Sequence, residues 1–122
     1  MTLLNESARI ALAAPASMDE AAGVAGDPAL RRADAVFTAT DVHAVGLLAA
    51  LRAAGQAVPQ DVALVGLGDL EIARHALPAL STVRIDGDAI GRHAAALVLQ
   101  GAKDAAGQRI DVGFALVVRE TG

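Results

Sequence analysis

The sequence predicts an α/β protein with a doubly wound parallel sheet. Segments typical of strands and of helices alternate along the chain, the order that gives parallel strands joined by right-handed crossovers. One of these segments, residues 62–67, is a continuous apolar run, as expected of a parallel strand covered on both faces. With 122 residues, 54% of them hydrophobic and 20% charged, the chain is long enough for one domain with a continuous core.

The predicted strands are short apolar segments bounded by proline, glycine and polar residues. They cover residues 8–14, 34–40, 62–67, 80–85 and 111–119. Between them lie four predicted helices, at residues 18–26, 42–54, 70–77 and 89–100, and a polar link at 102–108. In the second helix the apolar residues Val42, Val45, Leu48 and Ala49 recur at helical spacing, and Leu47 and Leu51 widen that stripe.

Each predicted helix begins near a side chain that can cap it. Ser17 and Glu20 match a capping box, and Thr40 or Asp41 is the expected cap of the second helix, which Gly55 ends. We expect Asp69 to cap the short third helix. Asp86 or Asp88 is the expected cap of the fourth, which ends at Gly101.

Composition excludes several classes of function. The absence of cysteine excludes disulfides, thiolate metal sites and a cysteine nucleophile. The net charge of −4 and the scattered basic residues argue against a nucleic-acid surface. The first residues show no signal-peptide pattern, and no apolar stretch approaches the ~20 residues of a membrane span. A cytoplasmic protein without membrane contact is therefore expected.

Known catalytic motifs are absent from the sequence, which favours a non-enzymatic protein without a cofactor. The run GLGDLE at residues 66–71 resembles the start of a dinucleotide fingerprint, but Glu71 stands at the third glycine position and would repel phosphate. A tight turn from strand to helix is the favoured interpretation. His43, His75 and His93 fall in three different predicted helices, so their spacing predicts no metal site.

Two polar pairs, Thr40–Asp41 and Gly68–Asp69, follow predicted parallel strands at their carboxyl ends. In open α/β sheets, ligands bind beside those ends. The two pairs are therefore candidates for a small-ligand site. Helix capping alone is the alternative, since a capping aspartate contributes ~1 kcal/mol without any ligand.

Several segments together resemble the LacI/GalR family of bacterial transcription regulators, in the C-terminal part of the effector-binding domain. They are DAVF followed by TD, a helix ending in AAG, VPQDVALVG, PALSTVRID followed by IG, and the tail VGFALVVRET. The stretch GLGDLEIARHALPALSTVRID is most similar to the gluconate-utilisation regulators of that family. A periplasmic-type sugar receptor, which has the same fold, and a dinucleotide-binding enzyme are the alternatives.

The resemblance implies a periplasmic-binding-protein-like fold, of which this chain is mainly the C-terminal lobe. Residues 8–86 and 111–119 would form that lobe, while the helix at 88–101 packs on the other lobe in the family. We therefore expect the face with Ile90, Leu97 and Val98 to be exposed here. The resemblance also implies that operator DNA is bound only through a helix-turn-helix module outside these 122 residues.

The resemblance assigns the ligand-binding positions to Thr40, Asp41, Gly68 and Asp69. Gly68 stands where many sugar-binding members have an aspartate, and a buried aspartate would repel a carboxylate ligand. The hypothesis that follows is a sugar acid such as gluconate, held partly by amides at a helix start.

The resemblance also implies a homodimer. The corresponding interface positions are Val45, Leu48, Arg52, His75, Ala76 and Leu77. For Val45 and Leu48, packing in the chain's own core is the alternative.

Overall fold

In a computed structural model of the chain, five strands and five helices are present in residues 9–13 and 17–122, which the structure describes. The strands are β1 (Ile10–Ala13), β2 (Ala35–Thr38), β3 (Ala63–Leu67), β4 (Ser81–Arg84) and β5 (Ala115–Val117). The helices are α1 (Met18–Val24), α2 (Asp41–Ala53), α3 (Glu71–His75), α4 (Gly87–Gln100) and α5 (Ala102–Ala105). A short 3-10 turn, Leu30–Arg32, precedes β2.

The five strands form one sheet in chain order, β1-β2-β3-β4-β5. The pairs β1–β2, β2–β3 and β3–β4 are parallel, with Ala35 opposite both Ile10 and Ala63. Parallel pairing brings the carboxyl ends of β2, β3 and β4 to the same edge of the sheet. The predicted α/β fold with a parallel sheet is therefore confirmed.

The core lies between the sheet and α2, which packs against α1, α3, β2 and β3. The buried face of α2 consists of Ala44, Leu47, Leu48 and Leu51, which recur at helical spacing. This face differs from the predicted stripe, because Val42 and Ala49 are exposed. The helix is apolar on more than one side, so spacing alone does not select the buried face.

Most helix starts agree with the predicted caps. The side chains of Ser17, Thr40 and Asp86 accept backbone hydrogen bonds at 3.1, 3.2 and 2.9 Å, each from the amide three residues later. The predicted cap at Asp69 is wrong. Helix α3 begins at Glu71, and its N-cap residue is Leu70, whose side chain makes no capping bond. The Asp69 carboxylate binds Arg84 and Arg119.

Two segments near the C-terminus differ from the prediction. The predicted link at 102–108 contains the one-turn helix α5. The last strand covers Ala115–Val117, whereas 111–119 was expected. Gly113, two positions before this strand, adopts a positive φ of 69°, and such a backbone does not continue a regular strand.

The chain divides into two compact units, one containing residues up to Arg84 together with Leu116–Gly122, and the other Ile85–Ala115. In the second unit, α4 has no buried residue. Ile90 and Val98 are 47% and 79% exposed, as expected, and Leu97 is half-buried. Whether this helix packs on a second lobe stays a prediction. Within the described residues, no helix has both the length and the apolar character to cross a membrane.

Candidate functional site

The two predicted polar pairs meet at the carboxyl edge of the sheet. Thr40 and Asp41 follow β2, and Gly68 and Asp69 follow β3. The Asp41 carboxylate accepts a hydrogen bond of 2.7 Å from the amide of Leu70, which links the start of α2 to the turn after β3. The parallel topology therefore brings together residues that are 29 positions apart in the sequence.

Asp41 is fully buried, with 0% of its surface exposed. One carboxylate oxygen accepts from the Thr82 hydroxyl at 2.5 Å, and the other accepts from the Leu70 amide. The side chain has no surface for a ligand in this conformation. It joins α2, β4 and the start of α3, while Thr40 caps α2.

The buried carboxylate of Asp41 requires a glycine at position 66. A Cβ atom at Gly66 would lie 2.2 Å from an Asp41 carboxylate oxygen and 3.1 Å from the nearer methyl group of Leu80. Real Cβ atoms do not approach other atoms as closely as 2.2 Å. The glycine that resembled part of a dinucleotide fingerprint therefore makes room for Asp41.

The turn that follows β3 has all three of its amides bonded within the protein. The amides of Gly68, Asp69 and Leu70 donate to the Val83 carbonyl, the Thr82 hydroxyl and the Asp41 carboxylate at 2.8, 3.3 and 2.7 Å. Gly68 and Asp69 have positive φ angles of 126° and 50°. These three amides are not free to bind an anion or a phosphate, which corrects the expected use of turn amides for a sugar acid.

Asp69 forms the charged centre of the edge. Its carboxylate is 6% exposed and accepts from Arg119 at 2.5 Å and from Arg84 at 2.6 Å. Burial raises the pKa of Asp69, but the hydrogen bonds from Arg119 and Arg84 outweigh it and hold the pKa below its usual value. Asp69 is therefore ionised at neutral pH.

Sequence reasoning missed Thr82, Arg84 and Arg119. The two arginines are 15 and 50 positions from Asp69, so no local spacing connects them with the turn. Arg119 is also fixed by a hydrogen bond of 2.8 Å to the Leu80 carbonyl. The only sequence signal for these two arginines is that one basic residue ends β4 and another follows β5.

The outer surface of the edge combines polar groups with the Leu70 side chain, which is 45% exposed. Gly68 is exposed, Thr40 is half-buried, and the Arg84 side chain is 55% exposed. The formal charges of the two carboxylates, Asp41 and Asp69, balance those of the Arg84 and Arg119 guanidinium groups. The arrangement offers a hydroxyl, an open glycine and a guanidinium to a small molecule without an excess of either charge.

Metal binding has no support in the residues that the structure describes. Among them, no three or more histidine, aspartate and glutamate side chains are grouped so that they could hold a metal ion. The three histidines lie on α2, α3 and α4, as expected from the sequence.

Three of the six predicted interface residues contribute to the chain's own packing. Leu48 is 3% exposed and belongs to the core, and Val45 and Ala76 are partly buried against that core. Leu48 therefore offers little surface to a second copy, and its role in a dimer stays a prediction. The alternative, core packing, is the one observed.

The other three predicted interface residues are exposed. Leu77 is 77% exposed, and Arg52 donates a hydrogen bond to its carbonyl. The His75 side chain is 76% exposed and lies 3.9 Å from Glu71. Arg52 also lines a surface cavity of about 440 Å³, together with Pro78 and residues between Gly55 and Gln60. Because this cavity lies near the end of α2, it is separate from the polar edge at the start of that helix.

A parallel α/β lobe with polar side chains at the carboxyl edge of its sheet defines a class of small-molecule-binding proteins. The chain matches the periplasmic binding protein-like domain over residues 3–121. It therefore belongs to the periplasmic-binding-protein-like family, in the form found in the effector-binding domains of LacI-family regulators.

Curated relatives and solved structures agree with this assignment. HTH-type transcriptional regulator CelR of Thermobifida fusca is 37% identical over 91 residues, which are 73% of this chain and 27% of CelR. HTH-type transcriptional regulator GntR of Pseudomonas aeruginosa is 41% identical over 91 residues, 72% of this chain and 26% of GntR. A structure titled as a complex of transcriptional regulator CelR with cellobiose has a TM-score of 0.78 at 31% identity, covering 89% of this chain and 35% of that one.

The chain spans 27% and 26% of the lengths of these two curated relatives. Lactose and ribose operon repressors match as well, so the comparisons do not single out gluconate. The relatives are named as transcriptional regulators and an operon repressor, and these names denote no enzymatic activity.

Proposed function

We propose that this chain is the effector-sensing part of a LacI-type transcription regulator, a cytoplasmic repressor that responds to a sugar or a sugar acid such as gluconate. The observation that carries the proposal is the meeting of Thr40–Asp41 with Gly68–Asp69 at the carboxyl edge of the sheet. In open α/β sheets this edge is the usual place for a small ligand.

The exposed groups of the edge suit a hydroxyl-rich ligand. The Thr40 hydroxyl and the outer N–H groups of Arg84 can exchange hydrogen bonds with sugar hydroxyls. Gly68 adds no negative charge, and the half-exposed Arg84 guanidinium is a natural partner for a carboxylate. These two features favour a sugar acid. Because the formal charges around Asp69 balance, a neutral sugar also fits this surface. The titration described below distinguishes a neutral sugar from a sugar acid.

The proposed mechanism is a shift of population between two arrangements of the effector-binding domain. An effector that binds one arrangement more tightly changes the affinity for operator DNA by at most the ratio of its affinities for the two arrangements. With a net charge of −4, this chain is not suited to hold DNA itself. Operator contact would come from a helix-turn-helix module outside these residues.

We also propose that the active form is a homodimer. The exposed surface with Arg52, His75 and Leu77 is the candidate contact, because an apolar side chain that is 77% exposed gains by burial against a second copy. Leu48 is not included in this candidate contact, because it is 3% exposed.

Calorimetric titration of the 122-residue chain with gluconate, cellobiose and D-glucose tests the effector class. We expect saturable binding of gluconate, and Arg84→Gln should weaken it about tenfold while weakening the neutral sugars less, because one charge-assisted hydrogen bond is lost. Arg31→Gln, at an exposed arginine of the 3-10 turn, is the matched control. Tight binding of a neutral sugar without gluconate binding would exclude the sugar acid. Absence of binding by all three would overturn the proposal.

A further inference from the structure

The chain crosses from one unit to the other at two places, called passages below. Near each passage lies an arginine, and the two arginines bind the same carboxylate. The chain leaves the first unit after Arg84 and re-enters it at Leu116. Arg84 and Arg119 donate to the two oxygens of Asp69 at 2.6 and 2.5 Å. Arg84 is the last residue before one passage, and Arg119 follows the other by three positions.

We propose that Asp69 is a positioning residue that joins the candidate effector turn, Gly68–Leu70, to both chain passages on the first unit. The inference rests on the proposed function for the role of the turn. The link itself is defined by the ligand-free chain and can be tested there.

Hydrogen bonds hold the Gly68–Leu70 turn firmly, so a displacement of this turn is passed on to the residues bonded to it. Its three amides are bonded to β4 and α2, and the Asp69 carboxylate is 6% exposed. Arg119 is fixed at its other side by the Leu80 carbonyl at 2.8 Å, and its amide donates to the Ser81 hydroxyl at 2.8 Å. A ligand that shifts the turn therefore shifts a carboxylate that is bonded to Arg119, which is 14% exposed, and to the more exposed Arg84.

Asp69 is the acidic group that connects Arg84 with Arg119. Two guanidinium groups share one carboxylate, so removal of its charge leaves two like charges beside each other. Buried ion pairs are weak stabilisers compared with apolar packing, whereas the loss of one partner is costly. A cluster of this composition is therefore better suited to fixing positions than to stabilising the fold.

Hydrogen exchange measured by mass spectrometry on the ligand-free chain tests the proposal. In Asp69→Asn, we expect exchange at least about tenfold faster in residues 84–88 and also in 116–121. Asp34→Asn is the matched control, because its carboxylate binds one exposed arginine, Arg9, and it should leave both segments unchanged. Faster exchange in Asp69→Asn at 68–70 alone, with both passages unchanged, would overturn the proposal.

Arg84→Gln provides a second test if Asp69→Asn fails to fold, because Asp69 keeps Arg119 as a partner. We expect faster exchange at 84–88 and 68–70 and unchanged exchange at 119–121. Unchanged exchange at 68–70 would contradict the proposed link. Since no effector is added, failure of sugar binding would leave these exchange results intact, and the two proposals can fail separately.

Discussion

Replacing Thr82 with valine removes one hydroxyl from the buried carboxylate of Asp41. Both residues are 0% exposed, and the hydroxyl donates to the carboxylate at 2.5 Å. The same hydroxyl accepts the Asp69 amide at 3.3 Å. Valine has nearly the shape of threonine, so the substitution removes hydrogen bonds without leaving a large cavity.

The expected cost follows from the two lost bonds. A hydrogen bond to a charged group contributes about 1.5–3 kcal/mol, and a neutral one about 1 kcal/mol. Asp41 keeps its second bond, from the Leu70 amide, which limits the loss. We expect Thr82→Val to lower the free energy of unfolding by about 2–4 kcal/mol. This is a large part of the 5–15 kcal/mol typical of a small domain.

Urea unfolding followed by far-ultraviolet circular dichroism measures this loss, since the chain has no tryptophan or tyrosine for fluorescence. Thr38→Val is the matched control. Thr38 is also 0% exposed, but it donates to the neutral carbonyl of Thr40 at 2.9 Å, so about 1 kcal/mol is expected. If Thr82→Val costs no more than Thr38→Val, the central role given to the buried carboxylate is refuted.

Three further predictions address packing, assembly and pH. Gly66→Ala should cost about 3 kcal/mol or more in urea unfolding, because its Cβ would meet a carboxylate oxygen at 2.2 Å. Gly91→Ala, on the exposed face of α4 with open space at its Cβ, should be neutral or stabilising, and equal costs would contradict the argument. Leu77→Glu should convert a dimer into a species with the 12.2 kDa mass of one chain in light scattering, whereas Leu99→Glu should not; an unchanged dimer in Leu77→Glu would exclude that surface. The arginines hold the pKa of Asp69 below its usual value, so this group stabilises the fold above pH about 4 and loses that effect as pH falls through its folded pKa. The stability difference between wild type and Asp69→Asn should therefore shrink in acid, and a constant difference would contradict it.

Local features of the sequence were sufficient to predict most helix starts. Ser17, Thr40 and Asp86 each bond an amide three residues later, so the interaction is contained in a short stretch of sequence. The buried face of α2 was not predictable in this way. Leucine and valine residues lie on several sides of that helix, and its tertiary packing against α1, α3 and the sheet is what distinguishes the buried Leu47 and Leu51 from the exposed Val42.

The position of the candidate site was predictable, but the roles of its aspartates were not. Parallel topology places the residues after β2 and β3 at one edge, which the order of elements in the sequence already indicates. Asp41 and Asp69 were assigned as capping or ligand-binding residues from their immediate neighbours. Their observed partners, Thr82 and Arg119, are 41 and 50 positions away, and only the assembled sheet brings them into contact.

The central claim is that a small hydroxylated effector binds at the carboxyl edge of the sheet. Titration of the ¹⁵N-labelled chain with gluconate and with cellobiose, followed by two-dimensional NMR, locates binding residue by residue. If the effector binds at this edge, we expect saturable chemical-shift changes of the Thr40, Gly68 and Leu70 amides with at least one of these ligands. Shifts confined to the cavity near Arg52 and Gln56, or no shifts with either ligand, would contradict this claim.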